Sequence, residues 1–346
     1  MRRLFRSKVA IIAMTLLVLA AWVGAAGPKK VLIGEIIYNL SQPYQQAHAK
    51  NAELYAKEIG VDIIIVDGKG SADTAASAME DLIAKKVDGI IIQPADAESI
   101  NVSVDEAQAN GVPVVTFFNK PTKAKAPFVK LEEHDIATQM GEFAVKKWKE
   151  FHPAIPVRVG VIDEPAVEYT RVHRAGAFID GVLKADPTAK IVARLDGGGV
   201  RDKSLQAGED LLQSHPEVNI IYGINNDSVL GALAAFEAGG RGKAVKGVPQ
   251  TEIFFGTDGT EAEILKIADP NSSFKVTMAL QPKNNARTLI DTLMKVVNKK
   301  MNMRSDYEIK SMDFVVDGWR MDLNKLQKFL KDQYFSTVDL KTEIGL

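Results

Sequence analysis

The stretch VLIGEIIYNLSQPYQQAHAKNAELYAKEIGVDIIIVD, residues 31–67, decides the fold. It begins with a short run rich in Val and Ile, Val31 to Ile37, and ends with another, Ile63 to Val66. Between them, Tyr44–Ile59 has helical spacing and good helix formers. Apolar runs that continue rather than alternate suit strands buried on both faces of a parallel sheet. The stretch therefore predicts a strand, a crossover helix and a second, parallel strand.

The same texture repeats outward. Gly89–Ile92 and Val112–Phe118 read as strands, with Thr74–Lys85 and Ala97–Asn110 as helices. Pro153 and Pro156 mark a loop before a second series. In it Val157–Ile162, Lys190–Leu195, Ile220–Gly223, Ile253–Gly256 and Phe274–Leu280 read as strands. Ala137–Phe151, Tyr169–Ala185, Lys203–Ser214, Ser228–Ala238 and Glu261–Ala268 read as helices. This alternation predicts α/β architecture with two doubly wound parallel sheets, divided near Phe128–Glu133. Farther on come a helix over Pro282–Asn298, a strand within Ile309–Val316 and a terminal helix beyond Trp319, through Leu323, Leu326, Phe329 and Leu330. Periodicity leaves open whether the helix after the second series returns to the first.

Composition excludes several classes. The 346 residues are 46% hydrophobic and contain no Cys, so disulfides and thiolate metal sites are ruled out. Net charge is -1, with 43 basic and 44 acidic residues. Residues 1–26 hold four basic residues and no acidic one, which leaves 39 against 44, a net of -5, on the rest. A mildly acidic body lacks the basic face that nucleic acid requires. The leading segment has a basic start (Arg2 to Lys8), an apolar run from Val9 to Ala21 interrupted only by Thr15, and small residues Val23-Gly24-Ala25-Ala26. This pattern predicts a cleaved signal peptide over 1–26 and a periplasmic mature protein. The apolar run falls short of the roughly 20 residues a spanning helix needs.

Ligands of open parallel sheets bind beyond the carboxyl ends of the strands. The segments there are Tyr38-Asn39-Leu40-Ser41-Gln42-Pro43-Tyr44-Gln45, Gln93-Pro94-Ala95-Asp96 and Phe117-Phe118-Asn119-Lys120. In the second series they are Asp163-Glu164, Asp196-Gly197-Gly198-Gly199, Asn225-Asn226-Asp227 and Thr257-Asp258-Gly259. Amides and carboxylates suit paired hydroxyls, and aromatic faces suit the C–H surface of a polyhydroxylated ligand. Each residue also has a structural reading. Asn226 or Asp227 can cap a helix, Asp258-Gly259 can be a turn, Tyr44 can be core, and Arg171 and Arg174 can be solvated. No His pair has metal-ligand spacing, and no nucleophile elbow, P-loop or Rossmann glycine fingerprint is present. The sequence calls for no metal, no cofactor and no catalytic residue.

Together these segments carry a resemblance. Asn39-Leu40-Ser41-Gln42-Pro43-Tyr44, Val87 through Pro94, Gly111 through Thr116, Arg174 through Phe178, Asn225-Asn226-Asp227 with Leu230-Gly231-Ala232-Leu233, and Gly256-Thr257-Asp258-Gly259 occur in that order over roughly residues 30–316. In this the chain resembles the type I periplasmic substrate-binding proteins of ABC sugar importers, in the ribose-binding subfamily. The resemblance implies two lobes joined by three crossovers, 30–131 plus 282–311 and 132–281 plus 312–346. It implies ligand contacts at Tyr38, Gln42, Tyr44, Gln45, Gln93, Phe118 and Asn119 on one side. On the other it implies Arg171, Arg174, Asn226 and Asp258, with Gln281 at the hinge. Phe118 and Asn119 stand where ribose binders carry Asp and Arg, and Gln45 and Gly199 stand where an aromatic is common. The hydroxyl pattern implied is therefore not that of ribose. The expected partners are a sugar or polyol and a membrane permease, with the protein acting as a monomer and as no enzyme. The alternative is a sugar or quorum-signal receptor that feeds a chemoreceptor or sensor kinase.

Overall fold

In the computed structural model, which describes residues 30–311 and 313–345, strand β1 (Leu32–Ile37) pairs in parallel with β2 (Asp62–Asp67). Helix α1 (Pro43–Glu58) connects them. Pro43 sits in its first turn, where no N–H is needed, and Gly60, at φ +75°, follows its end. Helices α2 (Ala72–Ala84) and α3 (Ile100–Ala109) alternate with β3 (Gly89–Ile92) and β4 (Val114–Phe117). Two further parallel strands complete this sheet: β5 (Phe128–Leu131) and, from far along the chain, β13 (Glu308–Ser311). The order is β13-β5-β4-β3-β1-β2. The predicted signal peptide lies outside the described residues.

Helix α4 (Glu133–Phe151) leads to the second sheet. There β6 (Arg158–Asp163), β7 (Lys190–Asp196), β8 (Ile220–Gly223), β11 (Ile253–Asp258), β12 (Phe274–Ala279) and β14 (Phe314–Asp317) lie in the order β14-β12-β11-β8-β6-β7. Only β14 runs antiparallel. A two-residue-strand hairpin, β9 (Ala244–Val245) and β10 (Val248–Pro249), stands apart. The helices are α5 (Glu168–Thr170), α6 (Ala177–Ala185), α7 (Arg201–Ser214), α8 (Asn226–Ala238) and α9 (Glu261–Ala268). A wide π turn over Arg171–Gly176 joins α5 to α6. Helices α4 and α6 touch backbone to backbone: a Cβ built on Gly181 would lie 1.9 Å from the Thr138 carbonyl oxygen.

The helix whose destination periodicity left open, α10 (Pro282–Val297), returns to the first sheet and packs on α1, β3 and β4. Its Leu293 lies against Gly89, where a Cβ would come within 2.7 Å of the leucine methyl. The chain thus passes between the sheets after β5, after β12 and between β13 and β14. The stretch Phe128–Glu133, read as the division between the two series, carries a strand of the first sheet, Phe128–Leu131, before the chain crosses. One sequence expectation changes: Ile309–Val316 is two strands, one in each sheet. Past β14, α11 (Leu323–Tyr334) and α12 (Leu340–Glu343) bury Leu326, Leu330 and Leu340 in the core that contains Phe254, Ile264 and Ile267.

Candidate functional site

Both sheets reverse strand order beside their first strand, with β1 between β2 and β3 and β6 between β7 and β8. Crevices form at such switch points, beyond the carboxyl ends of the strands. The loops that leave these ends line a cavity between the two sheets, with about 40 Å³ of space inside it.

From the first sheet, Tyr38, Gln42, Tyr44 and Gln45 follow β1, Gln93 and Pro94 follow β3, and Phe118 and Asn119 follow β4. Gln93 is only 1% exposed, yet neither its amide nitrogen nor its oxygen has a hydrogen-bond partner. The Gln45 amide oxygen is likewise buried and unpaired. Tyr44 is fixed: its hydroxyl accepts from the Asn285 amide of α10 at 2.9 Å. Asn119 donates to the carbonyls of Pro94 and Ala95, so it holds the loop. Phe118 adopts φ +63°, a left-handed conformation costing about 1–2 kcal/mol in an ordinary residue. That conformation sets its ring edge-on to Tyr44 and Tyr169, with centroids at 6.4 and 5.3 Å.

The second sheet supplies the charge. Arg174, in the wide turn, is 4% exposed and lines the cavity. Its Nε donates to Glu133 Oε2 at 2.5 Å and one Nη to Glu133 Oε1 at 2.8 Å, while the other Nη donates to the Ile224 carbonyl. Glu133 itself is fully buried at the start of α4. Asp258, at the end of β11, lies 3.7 Å from Arg174 and accepts from the Asn226 N–H at 3.0 Å. Its φ of +111° is strained backbone, of the kind held in place at functional sites by its surroundings. Two hydrogen bonds also link the loops of the two sheets: the Tyr38 hydroxyl donates to Glu164 at 2.9 Å, and the Gln42 amide donates to the Gly199 carbonyl at 3.3 Å.

Burial pushes the Asp258 carboxyl from its ordinary 3.8 up to about 7, with Arg174 opposing and Glu133 and Asp227 reinforcing. Glu164 is raised too, by burial, against the pull of Tyr38 and Arg174. A carboxyl whose pKa is raised on folding holds its proton longer in the folded state, so ionisation works against folding. The Asp258 contribution is present below about pH 4 and is lost as pH climbs to about 7. Asp258→Asn is therefore expected to flatten the decline in urea midpoint between about pH 4 and 7. Equal slopes for the two proteins would contradict this assignment.

Nine of the sequence candidates line the cavity: Tyr38, Gln42, Tyr44, Gln45, Gln93, Phe118, Asn119, Arg174 and Asp258. Three stand elsewhere. Arg171 is exposed on the outer side of the wide turn, where its carbonyl accepts from Arg194. Asn226 turns away, its amide donating to Asp227 and its oxygen accepting from the Thr260 hydroxyl. Its neighbour Asn225 faces the cavity and also caps α8 by accepting from the Ser228 N–H. Gln281 sits at the cap position of α10 and accepts from Asn284. Sequence reasoning missed Val167, Tyr169, Thr170 and Glu133. Glu164 and Asn225 stood in the strand-end segments without being chosen. Among the described residues no cluster of His, Asp or Glu is placed to hold a metal, and no helix is long and apolar enough to cross a membrane.

Two six-stranded sheets of this topology, with a cavity lined by aromatics, amides and charged groups at their facing strand ends, define a type I periplasmic binding protein. Residues 33–301 match the periplasmic binding protein domain family, and the chain belongs to it. Members of this family bind solutes for ABC transporters and are not enzymes. Among the relatives, the ribose import binding protein RbsB of Bacillus subtilis is 29% identical over 73% of this chain and 77% of its own length. The Caulobacter myo-inositol binding protein, solved with myo-inositol, superposes with a TM-score of 0.73 at 20% identity, covering 88% of this chain and 98% of its own. The arabinose-transporter binding protein of Shewanella, solved with L-arabinofuranose, gives 0.75 at 17% identity, covering 90% and 98%. These relatives are named as sugar- or polyol-binding proteins, the Shewanella one as the binding component of an ABC transporter.

Proposed function

We propose that this chain binds a monosaccharide or polyol in the cavity and delivers it to the membrane permease of an ABC importer. The observation that carries the reading is the Gln93 amide, buried against the cavity with donor and acceptor both unmet. Such a group costs about 1–3 kcal/mol unless a partner arrives. A ligand hydroxyl both donates and accepts, so one or two hydroxyls satisfy it. Gln45 and Asp258 offer further acceptors, and Tyr38, Phe118 and Tyr169 offer faces for C–H surface. The relatives named for ribose, myo-inositol and arabinofuranose support the same class.

The mechanism is hinge closure of the lobes 30–131 plus 282–311 and 132–281 plus 312–346. A ligand held from both sides favours the closed state by its differential affinity alone. The closed form then docks on the permease.

The test is a thermal-shift screen of residues 27–346 against sugars and polyols, run on protein shown by denaturing mass spectrometry to retain no ligand. A bound ligand raises Tm by mass action; a flat screen would sink the reading. Gln93→Leu sharpens the test. It removes an unsatisfied buried amide and keeps the volume, so the ligand-free Tm is expected to hold or rise. Affinity for the best ligand is expected to fall by about 1–3 kcal/mol. Unchanged affinity would move the site elsewhere.

A further inference from the structure

The chain continues beyond residue 301, where the family match ends, into α11, and the end of this helix meets both lobes. Its body belongs to one of them, since Leu326 and Leu330 are buried in the second-sheet core. Its last residues reach the other. The Gln333 carbonyl accepts from the Asn51 amide of α1 at 2.9 Å, and its side-chain oxygen accepts from the Lys283 N–H at the start of α10 at 3.0 Å. Phe335 takes φ +59° and lies under the Lys50 ammonium of α1, 4.2 Å from the ring centroid. Between these two residues, the Tyr334 hydroxyl donates to the backbone carbonyl of Asp258 at 2.7 Å.

We propose that residues 333–335 are a clasp between the lobes, and that Tyr334 is a positioning residue that holds Asp258 in its strained conformation. Asp258 persists at φ +111° only while its surroundings over-determine it. Its carbonyl accepts two bonds, one from the Leu280 N–H at 3.0 Å and one from Tyr334. Three consecutive residues therefore couple a cavity carboxylate on the second sheet to α1, the helix that carries Tyr44 and Gln45. Separation of α1 from β11 must break these contacts or drag the clasp with it. The clasp thus limits opening and presents Asp258 correctly on closure. This inference rests on the hinge reading above.

The chain lacks cysteine, so two introduced ones can carry spin labels on the full mature protein. Val102→Cys on α3 and Lys184→Cys on α6 are both strongly exposed. In ligand-free protein, Tyr334→Phe and Lys50→Gln are each expected to move the distance distribution toward longer separations. Lys50→Arg keeps a cation over Phe335 and is expected to restore the wild-type distribution. Affinity for the sugar with the largest thermal shift is expected to fall about fivefold in Tyr334→Phe, the loss of one hydrogen bond. A wild-type distribution that narrows with that sugar while the variants match the wild type without it would overturn the clasp alone. A wild-type distribution that ignores a sugar proven to bind would overturn the hinge reading and the clasp with it.

Discussion

Glu133→Ala is expected to lower the unfolding free energy by about 3–5 kcal/mol. The alanine leaves Arg174 with its guanidinium buried and two of its charge-assisted hydrogen bonds gone. Arg174 keeps the Ile224 carbonyl and a distant Asp258, neither of which replaces a bidentate carboxylate. Urea titration of the variant against wild type measures the loss. The double variant Glu133→Leu, Arg174→Met separates the charge from the packing. An apolar pair of similar volume in place of a buried ion pair is often neutral or better, so most of the stability is expected to return while sugar binding, which loses the Arg174 guanidinium, is expected to weaken. Should Glu133→Ala unfold within about 1 kcal/mol of wild type, the pair would be no more than a surface contact.

Gly181→Ala is expected to destabilise by about 3 kcal/mol, from overpacking. The added methyl would sit 1.9 Å from the Thr138 carbonyl oxygen, and the facing Gly141 leaves 2.1 Å to the Phe178 carbonyl. These obstacles are backbone atoms, so no side chain can swing aside; α4 and α6 must part. The better helix propensity of alanine returns at most about 1 kcal/mol. A thermal melt at or above the wild-type Tm would show that the helices do not meet this closely. Helix α4 begins at Glu133, so movement of the helix also moves the partner of Arg174, and weaker ligand binding is expected alongside the lower Tm.

Most of the sequence candidates that line the cavity share one property: they follow a strand end. Gln93 follows Gly89–Ile92 and Phe118 follows Val114–Phe117, so recognising the apolar run located the cavity-lining residue. Two of the candidates that stand outside the cavity depend on local angles that residue type does not reveal. Asn225 and Asn226 are chemically identical neighbours, and the extended backbone of the cap residue, φ -152° and ψ 177°, turns the first toward the cavity. Arg171 and Arg174 would lie near each other on a regular helix. The wide turn over Arg171–Gly176 separates them, leaving one exposed and the other buried.

The sequence by itself determined the α/β class, the paired sheets and most of the cavity's first-sheet wall, because continuous apolar runs and helical periodicity are local signals. Only the tertiary structure decided what sets the second wall. Glu133 meets Arg174 across 41 positions, and Tyr334 meets Asp258 across 76. These partners carry no shared periodicity, and buried charges and strained backbone find their compensation through space, wherever the packed chain brings a donor or acceptor within reach.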